Sequence, residues 1–170
     1  RYTDTTGRAS NWSTAVEFTA GAPDNTAALA AALRVSELMY NPPAGTEFEF
    51  IELHNLSPDT ALDLAGVTFT AGIQFTFPPG STLAAGGYAV VVQAATNDNF
   101  AAFRTHYGLA ATVPIFGPYS GSFANGGETV TLKTAPNGTE LVSFTYGDGR
   151  GWPVAADGAG HSLVPLAESR

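Results

Sequence analysis

Val67-Thr68-Phe69-Thr70-Ala71-Gly72-Ile73-Gln74-Phe75-Thr76-Phe77 alternates its side chains with a period of two, interrupted once at Gly72. Val67, Phe69 and Ala71 share one face, and Ile73, Phe75 and Phe77 repeat it beyond the glycine. A period of two belongs to a half-buried strand, so the stretch predicts two strands with a turn at Gly72. Runs of the same kind flank it, each bounded by Gly, Pro, Asn or Asp: Leu33 to Tyr40, Phe48 to Leu56, Tyr88 to Gln93, Pro114 to Tyr119, Thr129 to Thr134, Leu141 to Tyr146 and His161 to Leu166. About eight or nine short strands at this spacing predict an all-β sandwich. Ala89 to Val92 are four apolar residues in succession, which predicts a strand covered on both sides. Asn125-Gly126-Gly127 and Asn137-Gly138 are expected turns; in the second, Asn-Gly tolerates the positive φ of a tight hairpin.

One segment breaks the β pattern. Phe100, Phe103 and Tyr107 stand at i, i+3 and i+7, with Asp98 placed to cap a helix and Gly108 to end it. This helix is expected to plug one end of the sandwich. The first residues differ from the rest: 1–24 are polar and rich in Gly and Thr, and the alanine-rich Ala27 to Leu33 reads as a short helix or a linker. The expected organisation is therefore a linker or tail over 1–32 and one domain over 33–170.

The chain has 170 residues, 44% of them hydrophobic, enough for a continuous core. Seven basic against 15 acidic residues give a net charge of -8, which repels a nucleic-acid backbone. No basic patch offsets this, because Arg1, Arg8, Arg34, Arg104, Lys133, Arg150 and Arg170 are scattered. No apolar run approaches the roughly 20 residues that span a bilayer, so membrane insertion is not expected. The absence of cysteine excludes disulfides and thiolate chemistry, and suits an oxidising, secreted or cell-surface setting.

Several stretches, in order, resemble the Lamin Tail Domain family of bacterial secreted proteins. They are Arg34-Val35-Ser36-Glu37-Leu38-Met39-Tyr40-Asn41-Pro42, Glu49-Phe50-Ile51-Glu52-Leu53-His54-Asn55, and Phe75-Thr76-Phe77-Pro78-Pro79-Gly80 with Gly86-Gly87-Tyr88-Ala89-Val90-Val91-Val92. Asn125-Gly126-Gly127-Glu128-Thr129-Val130-Thr131-Leu132 and Trp152-Pro153 with Ala156-Asp157-Gly158 and Ser162-Leu163 complete the set. The resemblance implies an immunoglobulin-like β-sandwich with one short helix and no catalytic site of its own. Asn11-Trp12-Ser13 with Gly21-Ala22-Pro23 resembles the segment that usually closes such a domain. Residues 1–24 thus read either as the tail of a preceding repeat, the preferred reading, or as an extra edge segment on this domain.

The candidate chemistry is sparse. His54, His106 and His161 are far apart in sequence and lack metal-ligand spacing. Glu37, Glu49, Glu52 and Asp59 are the candidate Ca²⁺ ligands, and Glu37, Glu49 and Glu52 are the candidate carboxylates for a hydrolase. The expected reading places these carboxylates in solvent, ahead of calcium binding, with catalysis last; no cofactor is required. Asp148-Gly149-Arg150-Gly151-Trp152-Pro153 forms a glycine-rich loop in which Trp152, beside Asp148 and Arg150, can stack on a sugar or anchor a partner. The resemblance implies instead that Trp152 covers an end of the core.

These readings converge on a non-catalytic structural or interaction module of a larger secreted or cell-surface protein. Its expected partners are neighbouring domains of the same polypeptide or surface proteins. A carbohydrate- or calcium-dependent adhesion module is the alternative.

Overall fold

The computed structural model describes residues 3, 5–8, 24–94, 97–149 and 151–166. Helix α1 (Thr26–Ala32) runs directly into strand β1 (Leu33–Met39), followed by β2 (Phe50–Asn55), β3 (Leu62–Asp63), β4 (Thr68–Ala71), β5 (Phe75–Thr76), β6 (Thr82–Leu83) and β7 (Tyr88–Val92). Helix α2 (Asn97–Tyr107), β8 (Ile115–Phe116), β9 (Thr129–Lys133) and β10 (Glu140–Thr145) complete the order. One sheet has the order β1-β2-β7-β8 and the other β10-β9-β4-β5, with β3 and β6 paired separately. The result is a β-sandwich, as the alternating pattern predicts, and an immunoglobulin-like one, as the resemblance implies.

Alternation places the core. Leu33, Val35, Leu38, Ile51, Leu53, Ala89 and Val91 from the first sheet meet Phe69, Val130, Leu132 and Val142 from the second in one buried cluster. The opposite face of the first sheet carries Met39, Phe50, Val90 and Val92 into a second cluster beneath Phe103 of α2. Ala89 to Val92 are thus buried on both sides, as their uninterrupted apolar run requires.

The position of α2 follows from the strands it joins. Every strand pairing is antiparallel except β7 with β8, which is parallel in the register Val90↔Ile115 and Val91↔Phe116. A parallel pair needs a crossover connection, and the crossover segment covers a sheet face. Helix α2 therefore lies over the outer face of the first sheet, not at an end of the sandwich as its apolar stripe alone suggested. Phe103 meets Phe50 edge-on at 5.7 Å between ring centres, and the Tyr107 hydroxyl donates to the Phe48 carbonyl at 2.8 Å. Gly108 ends the helix at φ 63, and the Leu109 amide closes back on the Arg104 carbonyl at 2.9 Å. Asp98 falls inside the first turn, one residue past the helix start.

Three other expectations are corrected. The strand count among the described residues is ten, because eight of the predicted runs form strands and the two-residue β3 and β6, too short to show an alternation, add two. His161 to Leu166 is not a strand: it contributes one bridge, in which the Leu163 and Leu38 backbones exchange hydrogen bonds at 2.8 and 2.9 Å. Pro165 cannot donate to a ladder, so pairing ends there. The Asn137-Gly138 turn lacks positive φ at either residue. The Gly138 amide bonds the Ala135 carbonyl instead, giving a turn with Pro136 at its second position, where the ring presets φ.

Helix α1 packs Leu29, 1% exposed, into the main core. Its seven residues are too few to stand alone in water, so this packing holds it. Arg34 assists from the strand that follows: its guanidinium donates to the carbonyls of Ala31 at 2.8 Å and Leu33 at 2.7 Å, and more weakly to that of Ala30 at 3.3 Å. A cation at a helix C-terminus meets both the orphan carbonyls and the negative end of the helix dipole.

Candidate interaction surface

Of the four carboxylates singled out by sequence, only two come side by side. Glu37 and Glu52 are cross-strand partners on the outer face of the first sheet. Glu52 accepts from the Ser36 hydroxyl at 2.7 Å, and Glu37 from the Ser162 hydroxyl. Glu37 also reaches α2 electrostatically: burial, and then the Glu37 charge, push the Tyr107 phenol up to about 12. Asp59 sits in an exposed turn, where Thr60 and Ser57 hydroxyls at 2.9 and 3.1 Å hold its carboxyl below the usual range. Among the described residues, no three His, Cys, Asp or Glu side chains gather as a metal-binding group.

Glu49 overturns the expectation of a solvated carboxylate. It is 1% exposed, and its Oε2 accepts from the Tyr119 hydroxyl at 2.9 Å and the Phe123 amide at 3.0 Å. Burial pushes its carboxyl above the ordinary value, the Glu128 charge adds to this, and the two donors pull the other way. Close by, the Tyr146 hydroxyl donates to the Ala124 carbonyl at 2.8 Å and to Glu128 at 3.2 Å. The Ala124 amide reaches the same Glu128 oxygen at 2.8 Å. Burial and the flanking negative charges hold both phenols, Tyr119 and Tyr146, far above their ordinary values. Backbone pairing anchors the loop at its two ends, through the Ser120 bridge with Gln74 and the Glu128 carbonyl, and between them these side chains tie it to the core.

The loop after β10 is folded back in a similar way. Asn41 donates to Asp157 at 2.7 Å, and Tyr40 rests on Tyr146 with ring centres 4.9 Å apart. Asp148 is exposed at the end of β10, and Arg150 lies outside the described residues. Trp152 is 39% exposed, and its indole lies against Gly147, where a Cβ would stand 3.1 Å from Nε1. It thus lies against the chain just after β10 and keeps one face outside. His54 stacks on Tyr88 at 3.9 Å on the outer face of the first sheet, His106 lies against Phe48, and His161 belongs to the loop near Ala155. The three imidazoles occupy separate places.

Trp152 marks one wall of a groove of about 590 Å³. Val142, Ser143, Phe144, Thr145 and Tyr146 line one side, and Leu163, Val164, Pro165 and Leu166 the other, with Val35 and Leu38 also contributing. Side chains of successive strand residues point to opposite faces, so five successive residues can line one groove only if it runs along the strand's edge. β10 is that edge, the outermost strand of its sheet. The lining carries no Asp, Glu, Lys, Arg or His. Val164 and Leu166 are 66% and 108% exposed, far from the usual state of large apolar side chains.

Sequence reading found Trp152 but not the groove, since its far wall was expected to be a strand. The burial of Glu49 was legible: it shares parity with Ile51 and Leu53, which face the core, whereas Glu52 shares parity with the outward Phe50 and His54.

Comparison with known proteins agrees with this architecture. No curated protein and no solved structure matches the chain. The family profile that does match is the Lamin Tail Domain, over residues 26–148, from the start of α1 to just beyond β10. That is well over half of the sequence, and it spans every strand of both sheets; the chain belongs to the Lamin Tail Domain family.

Proposed function

We propose that this Lamin Tail Domain is a non-catalytic structural and interaction module of a larger secreted or cell-surface bacterial protein, where it makes protein–protein contacts and spaces neighbouring domains. The observation that carries this reading is the uncharged apolar groove along the β10 sheet edge, which none of the described residues fills. Exposed apolar surface of this kind is retained where another polypeptide covers it. The family is immunoglobulin-like and non-enzymatic, which supports the same reading. Of the carboxylates considered for hydrolysis, Glu49 is buried against Tyr119 and Phe123, and only Glu37 and Glu52 are neighbours, each accepting from a serine hydroxyl; a glycosidase pair must instead face one substrate-sized gap. An antibody raised against the chain should label intact source cells or their medium and detect a polypeptide well above 17.5 kDa. Detection confined to cytosol, or of a free polypeptide of the chain's own mass, would overturn the proposal.

A second reading, a glycan-binding module, has one observation behind it. Tyr88 is 41% exposed and stacks within 9° of parallel on His54, forming a flat aromatic platform of the kind sugar rings pack against. A glycan array separates the readings, since a Tyr88→Ala-sensitive hit is required by the second and not by the first.

A further inference from the structure

The groove has two extended walls, and the backbone of one of them is available for pairing. In β10, the Tyr146 amide bonds the Glu128 carbonyl across the ladder, which makes residues 146 and 128 a hydrogen-bonded pair. Such pairs alternate along an antiparallel ladder, so Ser143↔Thr131 and Thr145↔Thr129 are non-hydrogen-bonded pairs. Their side chains agree: such pairs stand closer, and the two hydroxyl contacts are 3.0 and 2.8 Å. The N–H and C=O groups of Ser143 and Thr145 therefore point away from β9, toward the groove. Opposite them, Leu163 is held to β1 by its bridge with Leu38, which fixes the second wall.

Charge is arranged along the same line. The lining is neutral; Asp148 lies exposed two residues beyond Tyr146, while at the other end Glu140 opens β10 opposite Lys133 of β9, so the acidic end is the one at Asp148. The whole chain adds a net charge of -8.

We propose that this groove takes up one extended strand of a partner polypeptide, which adds to the sheet by backbone pairing with β10. Its chemistry follows from the walls: a neutral segment with alternating small apolar side chains and a Lys or Arg at the end that meets Asp148. The apolar side chains cover Trp152, Val164 and Leu166, and the terminal cation faces Asp148. This rests on the interaction-module reading and gives it a place and a partner class.

The test uses the full chain, labelled with ¹⁵N, and the blocked peptide Lys-Thr-Val-Thr-Val-Thr-Val-Lys as probe. The Ser143 and Thr145 amide signals should shift on titration, and their hydrogen exchange should slow about tenfold or more as those groups become paired. Ser143→Pro removes an outward donor without breaking a backbone bond to β9, and edge positions tolerate proline; Ser143→Ala, which loses only the hydroxyl contact with Thr131, is its control and should keep the native affinity. Val164→Asp places a charge in the neutral wall at an exposed site. Ser143→Pro and Val164→Asp should each keep the native circular dichroism and weaken the peptide by roughly tenfold or more, and a peptide with Glu at both ends should bind more weakly at low salt only. Shifts confined to other surfaces, an affinity in both variants equal to that of the native chain, or no shift at millimolar peptide would overturn the proposal. Concentration-dependent protection of Ser143 and Thr145 in the free chain would also overturn it, by showing a second copy in the groove. None of these failures touches the cell-surface labelling test, so the module reading stands or falls separately.

Discussion

Two regions of this domain depart from the usual rule that polar groups lie outside and apolar groups inside, and they do so in opposite directions. Around Glu49, the buried Glu49 carboxylate and the Tyr119 and Tyr146 phenols each have a hydrogen-bond partner that ties the Tyr119–Glu128 loop to the core. Along β10, apolar side chains lie outside and nothing described covers them. A buried polar group with its partners in place contributes to structure, because losing a partner exposes the cost of its burial. An exposed apolar group has no such role in the isolated fold, so its reason lies in what binds it. Mutations should respond in opposite ways in the two regions.

The largest effect sets the scale. Phe77 is 1% exposed and packs edge-on against Phe75 and Phe116 at 5.0 Å. Phe77→Ala should lower the unfolding free energy by about 3–5 kcal/mol in urea titrations, since it removes an aromatic side chain and leaves a cavity. A loss below about 1 kcal/mol would mean that the interior re-forms around the gap, and the contrast between the regions would lose its reference.

Next comes the buried polar region itself. Tyr119→Phe keeps the ring and removes the hydroxyl that donates to Glu49, leaving that carboxylate with the Phe123 amide. The expected loss is about 1.5–3 kcal/mol, the range for a hydrogen bond to a charged group. A neutral outcome would show that water reaches Glu49 and that the region is less closed than its burial implies.

Glu49 also predicts a pH dependence whose sign is opposite to that of an ordinary ion-paired carboxylate. Its folded value lies above the ordinary 4.5, so the folded chain holds this proton more tightly than the unfolded chain does. The stability it contributes is fully present below about pH 4.5 and is lost as pH rises through the higher folded value. Glu49→Gln carries no such proton, so the stability of the native chain relative to this variant should fall as pH rises through that window. Equal slopes for the Glu49→Gln variant and the native chain would place the titrating group elsewhere.

How far these regions could be read in advance differs for a physical reason. Period-two alternation reports which face a side chain takes, and it assigned Val67 to Phe77, the doubly covered Ala89 to Val92, and in principle Glu49 by its parity with Ile51. It does not report which strands lie beside one another. The parallel pairing of β7 with β8 therefore came only from the structure, and with it the seat of α2 over the outer face. The groove depends on the same missing information: it exists because β10 ends its sheet and because 163–166 runs past it after a single bridge to Leu38. Trp152 could be noticed as an aromatic in a glycine-rich loop, but its neighbours in the groove lie on elements distant in sequence.

The smallest effect on stability gives the sharpest test of the comparison. Leu166 is fully exposed in the groove wall, so Leu166→Ser removes apolar surface that folding never took out of water. The unfolding free energy should change by no more than about 0.5 kcal/mol, the usual range for a surface position without special contacts. Surface hydrophobicity should nevertheless fall, and an anilinonaphthalene dye added to the native chain should fluoresce less with the variant. A measurable loss of stability with unchanged dye binding would put Leu166 among the residues that hold the fold together. The groove would then be a packed seam of the domain, and the contrast with the Glu49 region would disappear.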